Sequence, residues 1–400
     1  MKILLIHQIF VTPEEGGGTR HFELGKFLTA KGHKVTVIAS DVDYLSGKKK
    51  SKKMEVKDGV NIIYSYTYSG VHKSFLHRAF SFFTFSLTSF VNALKEKEVN
   101  IVWGTSPPLF QSITAFVVAK LKKKPFVFEV RDLWLDFAKE LGIVRNKILL
   151  KIFKFLEIFL YKNADKIIVN SPGFIPFIKK YIDEEKIVLI PNGVITKEFE
   201  VSQEVVYELR EQLKLNKKFV VLYAGNIGVA NDIETIIETA RFLKSYDDIL
   251  FLLIGGGIKK NELHVKCERE GLNNVVFLGT IPKRDIPKYI SIADVCVATL
   301  KNIPLFKTTY PNKVFDYMAA GKPVILAIDG VIRKVVEDAN AGMWVEPGNA
   351  KQMRDAVLRY YHNRTLLDIH GKNGKIYVKN FFEREKIADN LEQIFKELIS

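Results

Sequence analysis

The apolar positions of this chain fall into two successive series of short runs. In the first half, runs at 2–7, 35–39, 60–64, 101–103, 126–130 and 166–170 predict short buried strands, with helical periodicity between them. Strands alternating with helices predict an α/β chain with a parallel, doubly wound sheet, whose ligands lie beyond the carboxyl ends of the strands. The segment Ile190-Pro191-Asn192-Gly193-Val194 is a turn signal that closes this series. After a less hydrophobic stretch, runs at 219–223, 249–254, 275–278, 295–300, 324–328 and 343–345 predict a second Rossmann-like domain. The pattern therefore predicts domains at 1–190 and 191–382.

Two turns in this framework carry candidate chemistry. The first strand leads into a loop with Gly16-Gly17-Gly18, followed by a helix over 20–31. Glycines ahead of a helix let backbone amides approach a phosphate, although the spacing is not that of the dinucleotide fingerprint. The second is the stretch 306–323, FKTTYPNKVFDYMAAGKP. It predicts a polar loop, a helix over 313–320 with Asn312 as N-cap, and a glycine stop. A helix N-terminus with Lys313 beside it suits a diphosphate. One turn on, Asp316 can accept two hydrogen bonds, as a ribose diol offers. Glu129-Val130-Arg131-Asp132-Leu133-Trp134 stands at a strand's carboxyl end, where Arg131 would bind a phosphate or carboxylate, or form a salt bridge with a buried acid. For Gly255-Gly256-Gly257, a plain turn and a close approach to a ligand are both open.

Charge adds a partner class. The formal net charge is +15, with lysine runs at 48–53 and 122–124, which implies an acidic partner. The Phe-rich stretch 74–94, taken with the basic loop at 48–53, reads as a membrane-facing surface. The stretch 147–162 also sets lysines beside Ile, Leu and Phe, but reads more readily as a helix covering the sheet. Two isolated cysteines, Cys267 and Cys296, give neither a disulfide framework nor zinc spacing, so a reducing compartment is expected. The N-terminal run lacks a signal peptide's layout, and no run of eighteen apolar residues predicts a membrane span.

The wording of these segments resembles the retaining glycosyltransferases of family 4. GGGTRHFELGKFL, the GHKVTV strand, EVRDLW, IPNGV, YAGNIG and PNKVFDYMAAGKP carry the likeness across nearly the whole chain. The subgroup it most resembles contains L-fucosamine-type transferases of O-antigen and capsule assembly. The resemblance implies a GT-B fold: two facing Rossmann-like domains, an active site in the cleft, and the last helix (383–400) packing back on the first domain. It implies transfer of a sugar from a nucleotide diphosphate, with UDP expected, to a lipid-linked acceptor, without a metal or other cofactor. The expected setting is the cytoplasmic face of the inner membrane, with peripheral attachment to its anionic surface and no nucleic-acid partner.

Residue by residue, the resemblance places Thr308, Arg131 and Asp132 at the catalytic centre. It places Asn226, Asn231, Gly256, Leu278, Asn312, Lys313, Val314 and Asp316 on the donor, and Gly17, Gly18 and Arg20 on the acceptor. Three departures stand out. Thr308 occupies the first acidic position of the family hallmark, Arg131 replaces a histidine, and Asn226 and Asn231 replace a cationic pair that holds the diphosphate. Lys313 is the candidate for the missing charge. Front-face attack, in which the donor's own phosphate oxygen takes the acceptor proton, requires no enzymic base at Arg131. The nearest rival is a nucleotide-sugar 2-epimerase of the same fold, whose catalytic carboxylates and histidines are not found. A basic lipid- or nucleic-acid-binding protein is the rival from another class, and no nucleic-acid motif supports it.

Overall fold

The computed structural model describes residues 1–43, 46–70, 75–140, 142, 144 and 146–400. By its internal contacts the chain divides into two units. Unit one comprises Met1–Thr12, Thr19–Pro191 and Glu385–Ser400; unit two comprises Pro13–Gly18 and Asn192–Arg384.

Unit one is built on eight strands: β1 (Lys2–Ile6), β2 (Lys34–Ser40), β3 (Met54–Lys57), β4 (Val60–Ser65), β5 (Ile101–Ser106), β6 (Phe126–Val130), β7 (Lys166–Val169) and β8 (Ile187–Leu189). Their order is β3-β4-β2-β1-β5-β6-β7-β8. All neighbours are parallel except β3, which pairs antiparallel with β4 at the edge. The strand order reverses between β1 and β5, which is where such a sheet opens a crevice. The helices are α1 (Arg20–Ala30), α2 (Phe75–Lys95), α3 (Leu109–Lys122), α4 (Trp134–Glu140), α5 (Lys147–Asn163) and the short α6 (Ile175–Ile178). Helices α2, α3 and α5 lie side by side, with α3 in the middle: Phe116 of α3 meets Phe159 of α5 at 5.2 Å between ring centroids. Ser74, the first residue of the predicted Phe-rich helix, lies outside the described residues. The basic loop is folded down on its own edge of the sheet. Lys49 and Lys50 lie over the rings of Tyr66 and Tyr64, and Lys52 pairs with Glu55 at 3.1 Å.

Unit two has six parallel strands: β9 (Phe219–Ala224), β10 (Ile249–Ile254), β11 (Val275–Gly279), β12 (Val295–Thr299), β13 (Val324–Ala327) and β14 (Gly342–Trp344). Their order, β11-β10-β9-β12-β13-β14, is that of a Rossmann sheet, with its reversal between β9 and β12. Alternate residues of β9 enter opposite cores, Val220 and Leu222 one and Phe219 and Val221 the other, so the strand is apolar on both faces. The helices are α7 (Gln203–Gln212), α8 (Ile233–Phe242), α9 (Lys260–Arg269), α10 (Ile286–Ser291), α11 (Asn312–Ala319), α12 (Val331–Asp338), α13 (Ala350–His362) and α14 (Arg364–Phe381). Segment 13–18, which the hydrophobic pattern groups with the first half, is held here by backbone bonds: Lys283 N–H donates to Glu15 O and Arg284 N–H to Pro13 O. The last helix, α15 (Arg384–Glu397), returns to unit one, where Leu391 and Phe395 are fully buried in the core beside Phe22 and Trp103.

Candidate active site

In unit two, α11 is set against the end of β9. Val314, Phe315 and Met318 fill the core below it, while Tyr317 Oη accepts from Ala224 N at 2.8 Å. This fixes the helix N-terminus over the switch point of the sheet. The helix begins at Asn312, with Pro311 as N-cap, so Asn312 is its first residue and not the cap. Val314 is likewise displaced from its expected donor contact: its side chain is fully buried and its N–H donates to Pro311 O at 3.2 Å.

Lys313, the second residue of α11, points into the sheet. Its Nζ donates to Tyr223 Oη at 2.6 Å, lies 3.9 Å from the centroid of that ring, and reaches Asn231 Oδ1 at 3.4 Å. Burial alone pushes its ammonium down to about 7, with no carboxylate contributing. Tyr223 Oη in turn donates to Asn226 O at 2.8 Å. The result is a half-buried cation held by a phenol, an amide oxygen and an aromatic face, beside the first amides of a helix. Such a group is short of negative charge, and an anion at the helix tip would supply it.

The surrounding glycines shape this floor. A Cβ on Gly255, at φ +141°, would stand 1.8 Å from Gly225 O, and one on Gly257 would meet Ile227 O at 2.3 Å. Gly255 and Gly257 therefore let backbone pack on backbone. Gly256 O accepts from Ile227 N at 2.7 Å. The Asn226 side chain is exposed above this floor, whereas Asn231 is half-buried beside Lys313. Leu278 is half-buried on β11. Asn312 Oδ1 is buried without a hydrogen-bond partner, and its amide nitrogen lies 3.6 Å from the Cβ position of Gly18, within unit two. Gly17, next to it, is in the same segment.

Asp316 is already paired: Lys283 Nζ donates to its Oδ2 at 2.6 Å, with both side chains less than one-fifth exposed. No local signal in the sequence marks Lys283, which lies thirty-three residues before its partner. Thr308 closes its own 3₁₀ turn, its Oγ1 donating to Leu305 O at 2.7 Å.

In unit one, Arg131 follows β6. Its Nε donates to Thr105 Oγ1 at 2.8 Å and Nη2 to Pro107 O at 2.7 Å, so a hydroxyl and a carbonyl hold it in place of the buried acid weighed in the sequence. Burial pushes the Asp132 carboxyl up to about 7 even though Arg131 acts in the opposite direction. Asp132 lines a small recess with Ser106, Trp134 and Phe153. Arg20 is a different case from its expected acceptor role. It is buried, with Nε on Glu129 Oε1 at 2.8 Å and its other nitrogens on Pro191 O and Ile190 O, both at 2.6 Å. These bonds tie α1 to β6 and to the chain as it leaves β8. On its other side Glu129 Oε2 accepts from His21 Nε2 at 2.6 Å. Burial holds His21 at about 4 and therefore neutral. Burial penalises the Glu129 carboxylate, but the Arg20 charge and the His21 hydrogen bond outweigh it and keep it ionised. His7 stacks edge-on against His21 at 4.4 Å, with neither ring nitrogen bonded. No local signal marks this cluster, because its members meet only through the sheet.

Among the described residues no group of three or more His, Cys, Asp or Glu is placed to hold a metal ion. The family profile described as Glycosyltransferase Family 4 matches residues 15–198, and that described as Glycosyl transferases group 1 matches 206–377. The putative colanic acid biosynthesis glycosyl transferase WcaI of Escherichia coli K12 is 24% identical over 97% of this chain and 98% of its own length. An Escherichia coli enzyme named UDP-Gal:alpha-D-GlcNAc-diphosphoundecaprenol alpha-1,3-galactosyltransferase is 24% identical over 78% of this chain and 79% of its own. Among solved structures, Anabaena HepE in complex with UDP-glucose superposes with a TM-score of 0.76 at 18% identity, covering all of both chains. Sucrose-phosphate synthase from Thermosynechococcus elongatus gives 0.79 at 21% identity, covering 99% of this chain and 98% of that one.

Proposed function

This chain belongs to glycosyltransferase family 4 and has the GT-B fold, and on that premise we propose that it transfers a sugar, with retention, from a uridine diphosphate donor to a lipid-linked saccharide in the assembly of a cell-surface polysaccharide. The names of the colanic acid and diphosphoundecaprenol relatives support the pathway class and the acceptor, and the UDP-glucose complex of HepE supports the base. The acceptor is held at the cytoplasmic face of an anionic membrane, where this basic protein works peripherally.

One observation carries the reading: Lys313 is half-buried at the start of α11, over the switch point of a Rossmann sheet, with no counter-charge. A diphosphate seated on the α11 amides supplies that charge and leaves as a stabilised anion. Lys313 thereby does the work of the cationic pair that Asn226 and Asn231 lack, and the exposed Asn226 amide adds a neutral donor. Asp316 receives the ribose diol once Lys283 moves aside, and Thr308 faces the sugar. Gly17 and Gly18 present backbone to the acceptor. Arg131 contributes fixed positive charge, and Asp132 exchanges protons near neutrality. Since Lys313 and the helix terminus neutralise the leaving group, the scheme needs no divalent cation.

The test is Lys313→Ala, assayed by acceptor-dependent release of UDP across a panel of UDP- and GDP-sugars. A loss of at least about tenfold in kcat/KM, near 1.4 kcal/mol, is expected. A near-silent variant overturns the assignment of Lys313, and isomerised sugar released without acceptor overturns the transferase reading in favour of an epimerase.

A further inference from the structure

Helices α2, α3 and α5 turn apolar side chains outward. On α2, Ser81, Phe85, Ser89 and Ala93 face the sheet and are buried. The opposite row, Leu76, Phe80, Phe83, Leu87, Val91 and Leu94, is exposed, from 76% at Leu76 to 39% at Leu94. The spacing of four, three, four, four and three residues keeps that row on one line of the helix. Helix α5 repeats the arrangement with Ile148, Ile152, Phe155 and Phe159, of which Ile148 is 71% exposed. Leu121 of α3, 60% exposed, stands on the helix between them. Single exposed apolar residues are ordinary on a protein surface, but rows on two helices with Leu121 on the helix between them mark a docking face.

Charge selects the occupant. The three helices carry eight Lys and Arg and one acid, Glu157, which is buried and bonded to Lys154 at 2.8 Å. The outward rows interleave the two kinds of side chain: Lys147 precedes Ile148, Lys151 precedes Ile152, and Lys120 precedes Leu121, all of them exposed. In each pair the aliphatic group can enter the acyl region while the neighbouring ammonium stays with the phosphates. A second copy of this chain would set lysine against lysine. Among the described residues no helix is long and apolar enough to cross a membrane, and a face of this kind lies on one.

We propose that α2, α3 and α5 together form a monotopic face that seats unit one on an anionic bilayer. This rests on the membrane-held acceptor of the functional reading and supplies its docking surface. It gives α5 a second role beyond covering the sheet, and adds the helices to the 48–53 loop, three of whose lysines lie against tyrosines or Glu55. Each lysine at the surface contributes about fivefold in binding.

The test uses the full chain and sedimentation with phosphatidylcholine vesicles, with and without phosphatidylglycerol. Binding to the anionic vesicles is expected. Phe80→Ser with Leu87→Ser, and separately Ile152→Ser with Phe155→Ser, should each weaken it at least tenfold with thermal stability unchanged. Lys147→Glu with Lys151→Glu should abolish the preference for phosphatidylglycerol. Full binding by the α5 pair, or a dimer of the wild type that this pair dissolves, would overturn the proposal. Transfer to a short-tailed, water-soluble acceptor keeps the two readings apart: activity without vesicle binding sinks the face alone, and vesicle binding without activity on any donor sinks the function alone.

Discussion

Both units place a cation at the start of a helix, and they treat it in opposite ways. Arg20, the first residue of α1, is met by the Glu129 carboxylate and two backbone carbonyls. Lys313, the second residue of α11, is met by a phenol and an amide oxygen only. The first arrangement is electrically complete and holds the unit together. The second is incomplete without a ligand. A cation's place in a helix is therefore a poor guide to its use, and the presence or absence of a counter-charge is a good one.

The largest effect should come from breaking the completed pair. Glu129→Leu strands the buried Arg20 guanidinium, and unfolding in urea should register a loss of about 3–5 kcal/mol; a loss below 1 kcal/mol would mean that the pair is ornamental. A smaller effect should separate Lys313 by pH. In the empty protein its ammonium titrates near 7, and a bound diphosphate raises that value, so binding takes up a proton above pH 7. The dissociation constant for UDP should be flat below about pH 7 and weaken by up to about tenfold per unit above it. Calorimetry on Lys313→Met should show weaker and pH-independent binding. A wild-type profile flat from pH 6 to 9 would place the charge elsewhere. The smallest effect concerns Asp316. If Lys283 competes with the ribose, Lys283→Ala should tighten UDP by up to about fivefold, the scale of a partly exposed ion pair, whereas Asp316→Ala should weaken it. Tightening in both variants would remove Asp316 from the ribose.

Most of the strands were legible because a buried parallel strand is apolar on both faces. The two that were not are β3, an edge strand with charged residues and exposed side chains, and β8, which is only three residues long. Lys313 was legible because a helix start with a lysine has a local signature. Its setting was not, since Tyr223 lies ninety residues earlier in the chain. The same holds for Lys283 beside Asp316 and for Arg20 beside Glu129. The family resemblance places Arg20 on the acceptor, but its burial depends on β6 and on the exit of the chain from β8. Asn312 looked like a cap by residue type, but Pro311 takes that position and leaves the Asn312 amide oxygen buried without a partner.

The return of α15 to unit one sets an order of assembly during translation. The α15 residues, Leu391 and Phe395 among them, complete a core that otherwise consists of residues before Pro191. The ribosome therefore releases the N-terminal body with an open hydrophobic seam, and almost all of unit two has been synthesised before the strip that closes the seam emerges. Nascent chains stalled before residue 385 should therefore engage holdase chaperones through that seam.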